Sequence, residues 1–319
     1  MVHYRTFRNT DPPRLLALWN RGATGRAAAH PQVTQAFEVS VFCLPYFDPR
    51  GLIIAEVDGT PVGFVHAGFG FRDDLSGLNT EQGVICALLV VPEQRRQGIG
   101  TALLAKAEEY LRQQGVKTID FGQSKYRDPF YMGLHGGARL SGVCDSDPGL
   151  REFLTARQYA PALGSTIFQC DLSSYRAPSN MQLIGIRHKT ELQAADPVQP
   201  ASYWWYTHLG NVESLRYRLV TKRTGDVAAT VTVIGLDHYI NTWRERVIGL
   251  VEMQVAPPLR GQGYGAALMI ETMRRLRSEM NITLAEIHVP HGKDAGLQAV
   301  AKAGFVPIEE AHVYRRTNA

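Results

Sequence analysis

Two stretches of this 319-residue chain place an arginine and closely spaced glycines between an apolar run and a run of helical spacing. The first is Val90-Val91-Pro92-Glu93-Gln94-Arg95-Arg96-Gln97-Gly98-Ile99-Gly100 and the second is Val255-Ala256-Pro257-Pro258-Leu259-Arg260-Gly261-Gln262-Gly263-Tyr264-Gly265. Pro92 and Pro257, Arg95 and Arg260, Gly98 and Gly263, and Gly100 and Gly265 each stand 165 residues apart. That constant offset marks an internal repeat. Glycines at the end of such a loop let the backbone approach a ligand, and the first amides of the following helix, helped by the helix dipole, face an anion. Arg95 and Arg260 either stiffen the loop or touch phosphate oxygens. A pyrophosphate is the natural occupant. A single Arg-x-x-Gly-x-Gly could equally be a tight turn into a helix; the second copy in the same context favours the ligand.

The dinucleotide fingerprint Gly-x-Gly-x-x-Gly competes for these loops, and Asp120 lies about twenty residues past the first one, where that fingerprint wants an acid. Its third glycine is replaced by Leu103 and Leu268, and the approach to the first glycine is too long for the tight turn it needs. Nicotinamide chemistry is therefore disfavoured.

Side chains able to move a proton flank both loops. In the second half Glu252 lies inside the run Val247 to Val255, while Glu286 and His288 share one face of the run Leu284 to Val289 at period two. In the first half Asp120 matches Glu286, Cys86 and Ala87 stand where Val251 and Glu252 stand, and Glu81 lies near the start of that run. Glu252, Glu286 and Asp120 are the candidate bases. The bland reading of each is a surface or edge-strand carboxylate, and His288 alone reads as structural. Tyr126, Phe130 and Tyr131, close to Gly133, Gly136 and Gly137, either line an acceptor site or pack beneath a loop.

The elements that must hold these residues recur in one order. Val2 to Phe7 alternates as a strand, Arg14 to Arg21 has helical spacing, and Leu52 to Val57 with Pro61 to Phe71 form a hairpin around Asp58-Gly59. Val84 to Val91 reads as a strand, Ile99 to Gln114 as a helix, Val116 to Phe121 as a strand, Pro148 to Ala156 as a short helix and Ser165 to Leu172 as a strand. The tract 173–180 has linker composition. Beyond it Leu183 to Arg187 alternates, Thr190 to Glu213 reads as an irregular helical region, and Tyr217 to Val220 with Val227 to Ile234 form a hairpin. Val247 to Val255, Gly265 to Met280, Leu284 to Val289, Ala295 to Ala303 and Val306 to Arg315 then repeat strand, helix, strand, helix, strand. The expected organisation is a domain over 1–172, a linker over 173–180 and a second domain over 181–319.

Composition is that of globular protein, with 45% hydrophobic and 20% charged residues and a formal net charge of +4. Lysines and arginines are spread rather than gathered in a tract, so no nucleic-acid partner is expected. The four cysteines form no Cys-x-x-Cys pair, which argues against a zinc site or disulfide framework, and no metal is expected. The longest apolar run is too short to span a bilayer, so no membrane partner is expected and a cytoplasmic location is.

Both loops resemble the Gln/Arg-x-x-Gly-x-Gly/Ala signature of the GNAT superfamily of N-acetyltransferases, between that fold's fourth strand and third helix. Leu88-Leu89-Val90-Val91-Pro92 and Met253-Gln254-Val255-Ala256-Pro257 resemble its strand ending, Gly304-Phe305 resembles the Gly-Phe after its fourth helix, and Gln158-Tyr159 is a weaker counterpart. The resemblance covers nearly the whole chain as a tandem pair. It implies an α/β fold of two GNAT-like domains, each a mostly antiparallel mixed sheet flanked by helices. It further implies acetyl-CoA (coenzyme A) as cofactor, where the fourth and fifth strands part, often at a bulge. Pantetheine would pair with Leu89, Val90 and Val91 or with Gln254, Val255 and Ala256. The pyrophosphate would sit on Arg96, Gln97, Gly98, Ile99, Gly100 and Thr101 or on Gly261, Gln262, Gly263, Tyr264, Gly265 and Ala266, beside Arg95 or Arg260.

The implied activity is acetyl transfer to a small-molecule or peptide amine by direct attack, with one or both halves catalytic and homodimer formation left open. The alternatives are an acyl-CoA-binding protein without catalysis and an acyl or aminoacyl transferase using another donor. Departing from the family pattern, Val300 and Leu154 occupy the positions where a tyrosine acid would be expected in the fourth helix.

Overall fold

The computed structural model describes residues 1–23, 25–195, 203, 206, 207, 210 and 212–317. In chain order its strands and helices are β1 (Val2–Thr6), α1 (Pro12–Gly22), α2 (Gln35–Phe37), β2 (Leu52–Val57), β3 (Thr60–Phe71), β4 (Leu78–Val90), α3 (Ile99–Gln113), β5 (Thr118–Phe121), β6 (Val143–Cys144), α4 (Pro148–Thr155) and β7 (Ala160–Asp171). They continue as α5 (Met181–Lys189), β8 (Thr190–Ala195), β9 (Ser214–Thr221), β10 (Val227–Gly235), α6 (Ile240–Trp243), β11 (Val247–Val255), α7 (Tyr264–Met280), β12 (Leu284–Pro290), α8 (Asp294–Lys302) and β13 (Val306–Thr317).

Two compact units result. Unit 1 comprises Met1–Gly164, Ser202–Asn211 and Ala311–Ala319, and unit 2 comprises Ser165–Ala201 and Val212–Glu310. They differ from the linear halves expected from composition, because the end of the chain belongs to unit 1 and most of β7 to unit 2. Strand pairing is the cause. β13 lies antiparallel on β5 with Arg315 opposite Asp120, and β7 lies antiparallel on β12 with Gln169 opposite Glu286. Alternation marks both segments as strands but carries no information about which neighbour each joins.

Within unit 1 the sheet order is β1, β2, β3, β4, β5, β13, and within unit 2 it is β8, β9, β10, β11, β12, β7. In each the fourth and fifth strands run parallel and the other neighbours antiparallel. The mixed α/β architecture is thus the same in both.

α3 covers one face of the first sheet with Leu103, Leu104, Ala107 and Leu111, all 2% exposed or less. Burial of each leucine contributes about 2 kcal/mol. The other face is closed by aromatic packing: Trp19 stacks on Tyr131 at a centroid distance of 5.6 Å, and His66 lies 4.4 Å from the Phe130 ring. In unit 2, α7 places Leu268, Met269, Met273 and Leu276 against Tyr217, Leu219, Val231 and Leu250.

Residues 181–189 depart from the expected strand at Leu183 to Arg187. They form α5 because Asn180 Oδ1 accepts the Leu183 amide at 2.9 Å, an N-cap that starts a helix, and Leu183 and Ile186, one turn apart, enter the core. The strand comes next, as β8. The rest of the expected helical region, Thr190 to Glu213, lies largely outside the described residues. The tract 173–180 is docked on unit 2: Tyr175 Oη donates to Ala303 O at 2.9 Å and Arg277 reaches the carbonyls of Ser173 and Tyr175.

Two stability predictions follow from this packing. His66 is wholly buried, and burial pulls its pKa down to about 3. Below about pH 6.5 the unfolded chain binds a proton that the folded unit refuses until about pH 3. Stability should therefore be intact above pH 6.5 and fall on acidification by about 1.4 kcal/mol per pH unit from this group. Urea unfolding from pH 7 to 4.5 should show a slope at least this steep, because burial also lowers the His135 pKa to about 4, and His66→Gln should reduce it by about the His66 share. Asp120 is fully buried and bound bidentately by Arg315, which is about a third exposed. Arg315→Ala should cost about 3 kcal/mol in urea unfolding by stranding a buried charge, whereas Asp120→Asn with Arg315→Met should cost clearly less.

Candidate active site

The two glycine loops have one backbone conformation. β4 passes through Val91 into a 3-10 turn, Pro92–Gln94, and β11 passes through Ala256 into another, Pro257–Leu259. Arg96 and Gly261 then have φ of +62° and +76°, and Gly98 and Gly263, immediately before α3 and α7, have φ of +82° and +87°. Left-handed backbone favours glycine, and Arg96 shows that the first such position also accepts a side chain. Glycine has no side chain to cap a helix, so neither N-terminus receives a side-chain cap.

The arginines brace the loops. Arg95 Nε donates to Val90 O at 2.8 Å and its Nη2 to Gly22 O at 3.0 Å, while Arg260 Nε donates to Val255 O at 3.2 Å. Of the two roles open to them, stiffening is the one visible in these contacts. A Cβ added at Gly98 or Gly261 would meet no atom within 4 Å, so the space before these backbones is open. At Gly263 the Gln182 side chain would lie 3.2 Å away, and Gln182 Nε2 donates to Gln262 O at 3.1 Å. In unit 1 Arg157 donates to the Thr101 hydroxyl on the first turn of α3.

Above each loop the parallel strands part. β4 pairs with β5 only from Gln82–Thr118 to Ile85–Phe121, and β11 with β12 only from Val247–Leu284 to Gly249–Glu286. Beyond those pairs Leu89, Val90, Gln254 and Val255 keep the antiparallel neighbour on one edge alone. The next residues hold the same edge, with Val91 N on Val62 O and Ala256 N on Ala228 O, both at 2.9 Å. The register to the antiparallel neighbour slips at the parting, between His66 and Ala67 opposite Cys86 and between Thr230 and Thr232 opposite Glu252 and Met253. Such bulges bend a strand away from its neighbour. In unit 2 the bulge holds Glu252 at φ +51°, a strained value for a non-glycine residue. A coenzyme fits this frame: amides of Arg96 to Thr101 or Gly261 to Ala266 would hold its diphosphate, and the unpaired strand edge would hold an amide-bearing arm.

The three candidate carboxylates sit in different surroundings. Asp120 accepts from Arg315 Nε at 2.7 Å, Arg315 Nη2 at 2.9 Å and Gln82 Nε2 at 2.7 Å. Its oxygens are occupied and its charge is neutralised. Glu286 is likewise 0% exposed, but it is held by a neutral amide, Gln169 Nε2 at 2.8 Å, and by His288 Nε2 at 3.0 Å. Glu252 is half-buried at the bulge, where the strands part. The structure thus joins Glu286 to His288 beside the last paired residue of β11, and it places Glu252 three residues further along that strand.

Phe130 and Tyr131 are each 1% exposed and built into the aromatic core, Tyr131 with its hydroxyl 2.9 Å from His66 Nδ1. Tyr126 is half-buried and its carbonyl accepts the Phe71 amide at 2.6 Å. The segment carrying them is closed onto the 27–40 stretch through Gly136 N to Ala27 O and Tyr131 N to Ser40 O. Gln82, Gln169 and Arg315, which hold the carboxylates, escaped the sequence reading; their roles arise from cross-strand neighbours, which no local pattern marks.

Paired strands that part over a glycine-headed helix, built twice, define a tandem α/β protein. The profile of the family described as "Acetyltransferase (GNAT) family" matches residues 19–131 and 184–305, and the chain belongs to that family. An uncharacterised N-acetyltransferase of Methanocaldococcus jannaschii is 36% identical over 73 residues, 23% of this chain and 31% of that protein. The mycothiol acetyltransferase of Cellulomonas flavigena is 33% identical over 108 residues, 32% of this chain and 30% of that one. The chain spans between about a third and a half of the length of the curated relatives it matches. Among solved structures, a tandem GNAT protein from the clavulanic acid biosynthesis pathway superposes with a TM-score of 0.70 at 18% identity, covering 100% of this chain and 99% of that one, a likeness of fold alone. No helix among the described residues is long and apolar enough to cross a membrane.

Replacing Glu252 with glycine removes left-handed strain while adding backbone freedom, so the folding stability of Glu252→Gly should stay within about 1 kcal/mol of the parent. If Glu252 takes the amine proton, the same variant should lose at least about a hundredfold in turnover at neutral pH. Unfolding curves and thiol-release kinetics on one preparation would check both.

Proposed function

We propose that the protein is an N-acetyltransferase that moves an acetyl group from acetyl-CoA to a primary amine by direct attack, with unit 2 as the catalytic unit. The observation that carries this reading is the doubled loop: two uncapped helix N-termini behind left-handed glycines, each under a pair of parting strands. Acetyl-CoA supplies the activated acetyl thioester, and the chain's own groups do the rest. Loop amides orient the donor by its diphosphate, and the unpaired edge of β11 fixes its arm, so that alignment lowers much of the barrier.

Glu252 at the bulge is the favoured proton acceptor, and Glu286 with its His288 partner is the second candidate. Unit 1 lacks this equipment: Ala87 stands at the Glu252 position, and Asp120 is bound by Arg315. Its sealed aromatic face supports a structural role for that unit. Val300 and Leu154, both 0% exposed, offer no proton for the leaving thiolate, which favours protonation from water.

Isothermal titration should detect acetyl-CoA binding. Gly263→Val forces a β-branched residue into left-handed backbone with Gln182 at 3.2 Å, and it should abolish turnover with a broad amine set. Gly98→Val should leave turnover largely intact. Absence of any calorimetric signal would refute the donor, and the reverse pattern of the two variants would move catalysis to unit 1.

A further inference from the structure

The sheet face turned away from the long helix differs between the units at matching register. In unit 1, Leu52 pairs with His66 and Ile54 with Phe64 across β2 and β3. None of the four is more than 1% exposed, and the aromatic cluster covers them. In unit 2 the corresponding pairs across β9 and β10 are Arg216 with Thr232 and Arg218 with Thr230. Four apolar or aromatic side chains thus give way to two guanidiniums and two hydroxyls.

Tyr217 and Leu219 enter the core beside α7, so the twofold alternation of the strand puts Arg216 and Arg218 on the opposite face. Arg216 Nη2 lies 3.5 Å from Thr230 Oγ1 on that face. Arg218 Nε is shut off from solvent and has no hydrogen-bond partner among the described residues. A buried donor of this kind is satisfied when an acceptor oxygen arrives.

The same rows lead to the bulge. Thr232 pairs with Val251 and Thr230 with Gln254, on either side of Glu252. Two strand spacings, roughly 10 Å, separate the arginine row from that point. A small molecule and an arginine side chain together span this distance. Guanidiniums prefer oxyanions that accept two parallel N–H groups, and the carboxylate of Glu252 suits an ammonium at the other end.

We infer that the acceptor is a small amine that also carries an oxyanion, carboxylate or phosphate, and that Arg216 and Arg218 of unit 2 bind this anionic end. The inference rests on the reading of unit 2 as the transferase. Unit 1, with leucine and isoleucine at these positions, has no such specificity.

The test uses the full chain with acetyl-CoA and matched acceptors: ω-amino acids of two to six carbons against their primary amides, and phosphoethanolamine against ethanolamine. Thiol release is measured, and the thermal midpoint of the coenzyme A-loaded protein is recorded with each compound. The charged member of at least one pair should be favoured tenfold or more in kcat/KM, or raise the midpoint where its neutral mate does not. Arg216→Met and Arg218→Met should raise KM for that compound at least tenfold with kcat within twofold, and Arg218→Lys should recover part of the loss. Arg223→Met, in the exposed turn between β9 and β10, should leave the preference as it was. Preference for an amino acid identifies a carboxylate, and preference for phosphoethanolamine a phosphate. Equal behaviour of charged and neutral members in both readouts, or a preference that survives both methionine variants, overturns the inference. Coenzyme A titration of the same samples keeps the two readings apart: lost coenzyme binding sinks the transferase reading, and intact binding without a charge preference sinks this one alone.

Discussion

The parting of two parallel strands is the constraint on which the rest of the structure depends. β4 and β5, like β11 and β12, pair for only a few residues before a bulge bends the fourth strand away. A strand edge without its neighbour is ordinarily a liability, because its amides and carbonyls want partners. Here the edge opens beside a helix whose first amides are also uncapped, so one concavity collects unused hydrogen-bonding groups from two elements. The bracing of Arg95 and Arg260 to strand-end carbonyls holds that concavity in shape.

Exchange of the last strand ties the two units' chemistry to distant parts of the chain. Arg315 on β13 neutralises Asp120, and Gln169 on β7 holds Glu286. The geometry is alike in the two units, but the charges are not. A bidentate guanidinium occupies both oxygens of Asp120, whereas Glu286 is met by the Gln169 amide and the His288 imidazole. Matching positions on matching folds therefore carry carboxylates held by different partners.

The opposite faces diverge in the same sense. Unit 1 fills its face with Trp19, Phe64, Phe130 and Tyr131 and buries a neutral histidine among them, which favours rigidity. Unit 2 keeps arginines and threonines there. Duplication of a fold permits this division, since one copy can hold the shape while the other keeps polar groups that weaken its packing.

Much of the frame was legible from residues alone. The constant spacing of the two loops, the helical runs behind them and the alternation of the strands each follow from local backbone preference, so the repeated α/β order and the paired glycine loops could be read directly. The helix at Met181–Lys189 was missed because a weakly amphipathic nine-residue segment carries little periodic signal and its Asn180 cap decides the matter. Tertiary structure alone decided that β13 completes unit 1, that Arg315 binds Asp120, that Phe130 and Tyr131 pack inward and that Arg218 faces the sheet row leading to Glu252. Each of these depends on which strand lies beside which, a long-range choice set by total burial and pairing, and short-range patterns of side chains do not encode it.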